Sequence, residues 1–149
     1  MSTIKVDTYL TRGGASEIAI DKLKGASSAA SISVVAEGGS TTTNLQQGVN
    51  KVWANLNGSS FGLRDNFNVT SATDNGTGDH TITIANNMGN ANYSLATNGG
   101  DINASALGTQ GLYTATAPAS DSVRIGSTAS DGSQLDFSYF MIQIAGDLA

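Results

Sequence analysis

The sequence predicts an all-β protein: an antiparallel β-sandwich, jelly-roll-like, at the C-terminal end of an extended N-terminal arm. Three observations predict it. Charged residues make up only 13% of the 149 residues, against ~25% in ordinary soluble domains, and Ser, Thr, Asn and Gly stand in their place. From residue 49 onward, short apolar stretches recur near the 8–12 residue spacing of sandwiches and barrels. The segments between them are rich in Gly, Asn and Asp, which turns need for their backbone angles and local hydrogen bonds.

Residues 1–24 hold two short apolar alternations, Ile4-Lys5-Val6 and Ile18-Ala19-Ile20, separated by the turn-like Arg12-Gly13-Gly14. They are too short to build a core. Residues 25–48 are dominated by Ala, Ser, Thr and Gly, with Ile32, Val34, Val35 and Leu45 as their sizeable apolar residues. This composition suits either a flexible linker or a shaft in which small side chains let neighbouring chains approach. The alternation in Ser31-Ile32-Ser33-Val34 favours local strand pairing over coil.

Residues 49–149 form the sandwich domain, with strands expected at 49–56, 67–73, 80–85, 91–97, 112–117, 122–127 and 135–145. Val52, Ala54 and Leu56 share one face of the first of these, with Trp53 on the other. Ile82 and Ile84 oppose Thr81 and Thr83, the pattern of a half-buried sheet. The run from Asp74 to Asp79 is the strongest hairpin signal, because Asn75-Gly76 tolerates positive φ. The final strand breaks the alternation. Phe137, Tyr139 and Met141 fall on one face and Phe140, Ile142 and Ile144 on the other. A strand apolar on both faces requires cover on both, from a loop of the same chain or from a neighbouring subunit, and the subunit is the expected cover. These six residues are therefore the expected oligomer interface.

Composition also removes function classes. The net charge is −5, and the seven Lys and Arg residues are scattered. Nucleic acids and anionic membranes both demand clustered cations, so neither is an expected partner. With no cysteine, no thiolate metal site or disulfide can form. The opening lacks the apolar core of a signal peptide and no stretch is apolar enough to cross a bilayer. Synthesis in a cytoplasm is expected. The five Asn-x-Ser/Thr sequons, at Asn57, Asn68, Asn75, Asn92 and Asn103, follow from composition rather than glycosylation.

Chemistry-bearing candidates are few. His80, the one histidine, is expected at a strand edge facing solvent, without a nucleophile to serve. Asp74 and Asp79 could offer oxygens to a cation, but their loop lacks the spacing of an EF-hand, and a plain turn accounts for them. Arg64-Asp65 reads as a solvated pair. Trp53 and Tyr113 could stack on a sugar ring, though such aromatics more often serve a core or interface. No pair of carboxyls suggests glycoside cleavage. No catalytic residue and no cofactor is expected, and the chain is read as a non-enzyme.

Several spaced segments resemble those of phage fibre and virion proteins, notably from marine and cyanobacterial tailed phages. They are Lys51, Trp53, Asn55, Asn57 and Gly58; then 63–69; then 74–82, where His80 stands for the usual Tyr; then 88–93, where Gly89 stands for Pro. The opening, 2–8, and the closing strand, 137–145 with Gly146-Asp147, are similar too. The resemblance implies a homotrimer with an N-terminal anchor, here carried by Ile4, Val6, Ile18 and Ile20, and a distal β-domain. It implies a structural protein of the virion, displayed on the particle as a short tail fibre or capsid protrusion among other virion proteins. Two alternatives stand beside it: a fibre-tip module binding host surface polysaccharide through Trp53 or Tyr113, and a capsid decoration or cement protein.

Overall fold

Alternation of apolar and neutral polar side chains, with β-branched residues at many apolar positions, drives most of the described residues into strands. The computed structural model describes residues 21–24, 32–35, 39, 41–101, 109–113 and 115–149. The anchoring residues Ile4, Val6, Ile18 and Ile20 lie outside the described residues.

Strand β1 (Ser33–Val35) pairs antiparallel with β2 (Thr42–Asn44), and a single helical turn, α1 (Leu45–Gly48), follows. Eight further strands make the sandwich: β3 (Asn50–Asn57), β4 (Gly62–Phe67), β5 (Val69–Gly76), β6 (Asp79–Ile84), β7 (Ser94–Gly100), β8 (Thr109–Leu112), β9 (Ser122–Thr128) and β10 (Tyr139–Ala145). The first sheet has the order β4-β3-β10-β7 and the second β5-β6-β9-β8, and every pairing is antiparallel. Eight strands in two sheets is the jelly-roll number. Here β3–β4, β5–β6 and β8–β9 pair consecutively within a sheet. The all-β sandwich expected from sequence is therefore present.

The core lies between the sheets. Val52, Ala54, Leu56, Phe140, Ile142 and Ile144 enter it from the first sheet. Ile82, Ile84, Val123 and Ile125 enter it from the second, with Met88 beside them. Burying each of the larger ones removes apolar surface from water, worth roughly 1.5–3 kcal/mol apiece.

The structure corrects several expectations. β4 was not expected. Its sequence, Gly-Leu-Arg-Asp-Asn-Phe, lacks clean alternation because a register shift between Asn55 and Leu56 of its partner inserts an extra residue. The strand expected at 67–73 does not run straight, because Asn68 takes φ +59° and divides β4 from β5. The strand expected at 112–117 is β8, which ends at Leu112, and Thr116 N–H turns back to the Tyr113 carbonyl at 3.2 Å. In the 74–79 hairpin the positive φ falls on Gly76 and Gly78, not on Asn75.

The largest correction concerns the last strand. β10 begins at Tyr139, so the parity of Phe137 is not set by the strand. Phe137 turns inward and is fully buried, its carbonyl accepting from Gly58 N–H at 2.9 Å. Phe140, Ile142 and Ile144 are likewise in the core of the single chain. Four of the six residues expected at a subunit interface are thus covered by their own chain. Tyr139 and Met141, each 38% exposed, remain outside.

Candidate functional site

The outer face of the first sheet gathers several exposed aromatic and thioether side chains into neighbouring rows. Register places Phe67 of β4 beside Trp53 of β3, and Trp53 beside Gln143 of β10. The next row runs Asp65, Asn55, Met141, Asn98. Phe67 is 54% exposed and Trp53 half-buried. Tyr139 continues the line, with the Arg64 guanidinium carbon 4.4 Å from its ring centroid. Arg64 is held there by the carbonyls of Leu56, at 3.1 Å, and Ser138. The register shift that hid β4 in the sequence is what leaves Arg64 able to reach across β3. Shallow grooves flank Met141, one of about 250 Å³ against Ala96 and Asn98 and one of about 200 Å³ against Trp53 and Asn55.

Arg64 and Asp65 are charged, and the neutral polar groups of the rows include the amides of Asn55, Asn98 and Gln143. Amides supply both donors and acceptors. An exposed strip of aromatic, thioether and amide groups is the composition of a contact surface, since Trp, Tyr and Met are enriched where two proteins meet.

The remaining sequence candidates lie elsewhere. Tyr113 stands on the outer face of the second sheet, opposite to Trp53, with the Arg124 guanidinium carbon 4.5 Å from its ring centroid. The two aromatics proposed for sugar stacking therefore do not converge. His80 does not face solvent: it is completely buried, on the inward side of β6 with Ile82 and Ile84. Its ring packs between Phe61, 5.5 Å away, and Phe140, edge-on at 5.3 Å. Its Nε2 and Nδ1 lie 3.5 Å and 3.8 Å from the carboxylates of Asp136 and Asp74, without hydrogen-bond geometry. It fills an aromatic position in the core. The signal was available, because His80 shares strand parity with Ile82 and Ile84.

Asp79 and Asp74 do not act together. Asp79 is buried, and Arg124 of β9 takes both of its oxygens, Nε to Oδ1 at 2.7 Å and Nη2 to Oδ2 at 2.5 Å. This bidentate hydrogen bonding holds the Asp79 carboxyl below the usual carboxylate range, and the same bond raises Arg124. Asp74 instead caps its own turn, accepting from Gly76 N–H at 3.0 Å. Among the described residues no group of three or more His, Asp or Glu side chains is placed to hold a metal ion.

The lowered Asp79 predicts an acid dependence. A carboxyl depressed in the folded state contributes stability above its unfolded value, about pH 4, and that contribution is lost as pH falls through the folded value. Asp79→Asn is therefore expected to lower the denaturation midpoint near neutrality. The deficit should shrink in acid, below about pH 4. Urea titrations of both proteins across that range check it; a deficit constant with pH would disconnect Asp79 from the acid limb.

Comparison with protein-family models, with curated proteins and with solved structures finds no match for the chain.

Proposed function

We propose that this chain is a structural protein of a tailed-phage virion, displayed on the particle surface as a short tail fibre or capsid protrusion, whose copies associate as a trimer through the outer face of the first sheet. The observation that carries the reading is that strip: Phe67, Trp53, Tyr139 and Met141 aligned on one sheet face. A lone soluble domain gains nothing from aligning such groups in water, whereas a second copy would cover them. The spaced motifs at 51–58, 63–69, 74–82 and 88–93 support the phage class. Their residues build β3, β4, β5 and β6 and the segment around the buried Met88, the parts that frame this face and its core.

Light scattering of the purified protein tests the assembly. The expected mass is near three times the chain's 15.1 kDa. Met141→Lys should reduce it to one chain while leaving the far-ultraviolet spectrum unchanged, because Met141 is partly exposed and outside the core. A wild-type mass equal to one chain at every concentration would overturn the assembly. Immunogold labelling of purified particles tests the location, and its absence from them would overturn the virion reading.

A further inference from the structure

We infer that Arg64 is a preorganised receptor for a carboxylate of a second copy of this chain, and that Asp65 is the carboxylate that copy supplies. The inference deepens the assembly reading and rests on it: it names the ion pair that sets the register between copies on the outer face of the first sheet.

Two arginines of the sandwich stand over tyrosine rings, and among the described residues only one of them has a counter-ion. On the second sheet, the Arg124 guanidinium carbon lies 4.5 Å from the Tyr113 centroid. Its Nε and Nη2 take the Asp79 carboxylate side-on, at 2.7 Å and 2.5 Å. On the first sheet, the Arg64 guanidinium carbon lies 4.4 Å from the Tyr139 centroid. Here Nη1 makes the hydrogen bonds, to the carbonyls of Leu56 and Ser138 and, at 3.5 Å, to Asn55 Oδ1. The side-on edge that Arg124 turns to Asp79 meets no carboxylate on Arg64 among the described residues. Carbonyl and amide oxygens orient the guanidinium without neutralising it. Its fork fits a carboxylate through two parallel bonds, and a side chain already held over a ring loses little freedom on pairing.

The complementary charge is one residue away, on the same face, and Arg64 does not use it. Asp65 is exposed on β4, opposite Asn55. Its Oδ1 accepts from the Asn66 N–H at 2.8 Å, and no cation pairs with it among the described residues. The bulge keeps these neighbours apart. Asn55 pairs with Asp65 and Leu56 with Leu63, so Arg64 is the extra residue. Its side chain crosses β3 to Tyr139 at the start of β10, while Asp65 stays on the edge strand. One face thus carries a fixed cation toward β10 and an anion on β4, each without its opposite. A rotation axis facing this sheet can set one copy's Asp65 on the next copy's Arg64, and closure then matches every cation with an anion. The net charge of −5 makes copies repel at a distance, and a pair of opposite charges at contact offsets that repulsion and selects one register. Seated beside Tyr139 and Met141, the pair is shielded from water in the assembly, where ion pairs couple more strongly than on an open surface.

The test is sedimentation equilibrium of the full chain and three variants at one salt concentration. Arg64→Glu and Asp65→Lys are each expected to weaken self-association about tenfold or more, since each sets like charges against one another. Asp65 makes no bond beyond the next backbone N–H among the described residues, so Asp65→Lys separates association from folding even where Arg64→Glu disturbs both. The double variant, Arg64→Glu with Asp65→Lys, restores opposite charges between copies and should associate more tightly than either single variant. If the wild type assembles and both single variants assemble equally well, the Arg64–Asp65 contact is overturned and the assembly reading stands. Losses that simply add in the double variant overturn the contact in the same way. A wild type that remains one chain at every concentration overturns both.

Discussion

Phe140→Ala is expected to lower the stability of the folded chain by about 4 kcal/mol, the middle of the range for losing a buried phenyl ring. Phe140 is 1% exposed, and its ring meets His80 edge-on at 5.3 Å. Across β10 its register partners are Leu56 on one side and Gly99 on the other. Gly99 has no side chain to swing inward. Its backbone also cannot accept one, because a β-carbon there would collide with the Tyr139 carbonyl and the Gln110 amide. The space left by the phenyl therefore stays largely open, and cost rises with unfilled volume. His80 would lose a ring contact as well. The measurement is a denaturant titration at two protein concentrations. A midpoint shift independent of concentration places Phe140 in the core of one chain. A shift that grows on dilution would instead return it to the subunit interface at which its sequence pattern points. Met141→Ala, one residue on and facing out, should change the stability of one chain by less than about 0.5 kcal/mol.

That contrast shows where the sequence was legible. Strand parity is a local property, so the inward faces 52-54-56 and 82-84 could be read directly, and each lies in the core. The double apolar pattern of the last strand was real, but its two faces have different fates. Phe140, Ile142 and Ile144 face the second sheet, while Tyr139 and Met141 face out; Phe137 precedes the strand and obeys a loop. What could not be read depends on register between distant segments. The Asp79–Arg124 pair joins residues that meet only because β6 and β9 are neighbours. β4 stayed hidden because a bulge disrupts the alternation by which an edge strand is recognised. Fold class thus follows from composition and period, whereas the candidate surface on the first sheet is a product of strand pairing.

Asn68→Ala is expected to cost about 3 kcal/mol, a large value for a residue outside the core, from the loss of its hydrogen bonds and of a tolerated left-handed backbone. Asn68 stands where the chain leaves the first sheet for the second, at φ +59°. Its Nδ2 donates to the carbonyls of Lys51 at 3.0 Å and Asn86 at 3.1 Å. Its Oδ1 accepts from the Asn86 N–H at 2.7 Å and from the Asn86 Nδ2 at 2.9 Å. One side chain thereby ties β3 to the segment after β6, fixing the corner around which the sandwich closes. Asn is suited to both tasks, since it enters the left-handed region more readily than other residues with a β-carbon and its amide bonds in both directions. The two contributions separate by substitution. Asn68→Gly relieves the backbone but not the lost bonds, and should be about 1 kcal/mol more stable than Asn68→Ala. Asn68→Asp keeps the acceptor and loses both donors, setting a carboxylate beside two carbonyl oxygens, and should recover little. Equal stability of the Ala and Gly variants would show that the backbone at residue 68 is not left-handed. A loss below about 0.5 kcal/mol in all three would mean that the corner is held by the sheets alone.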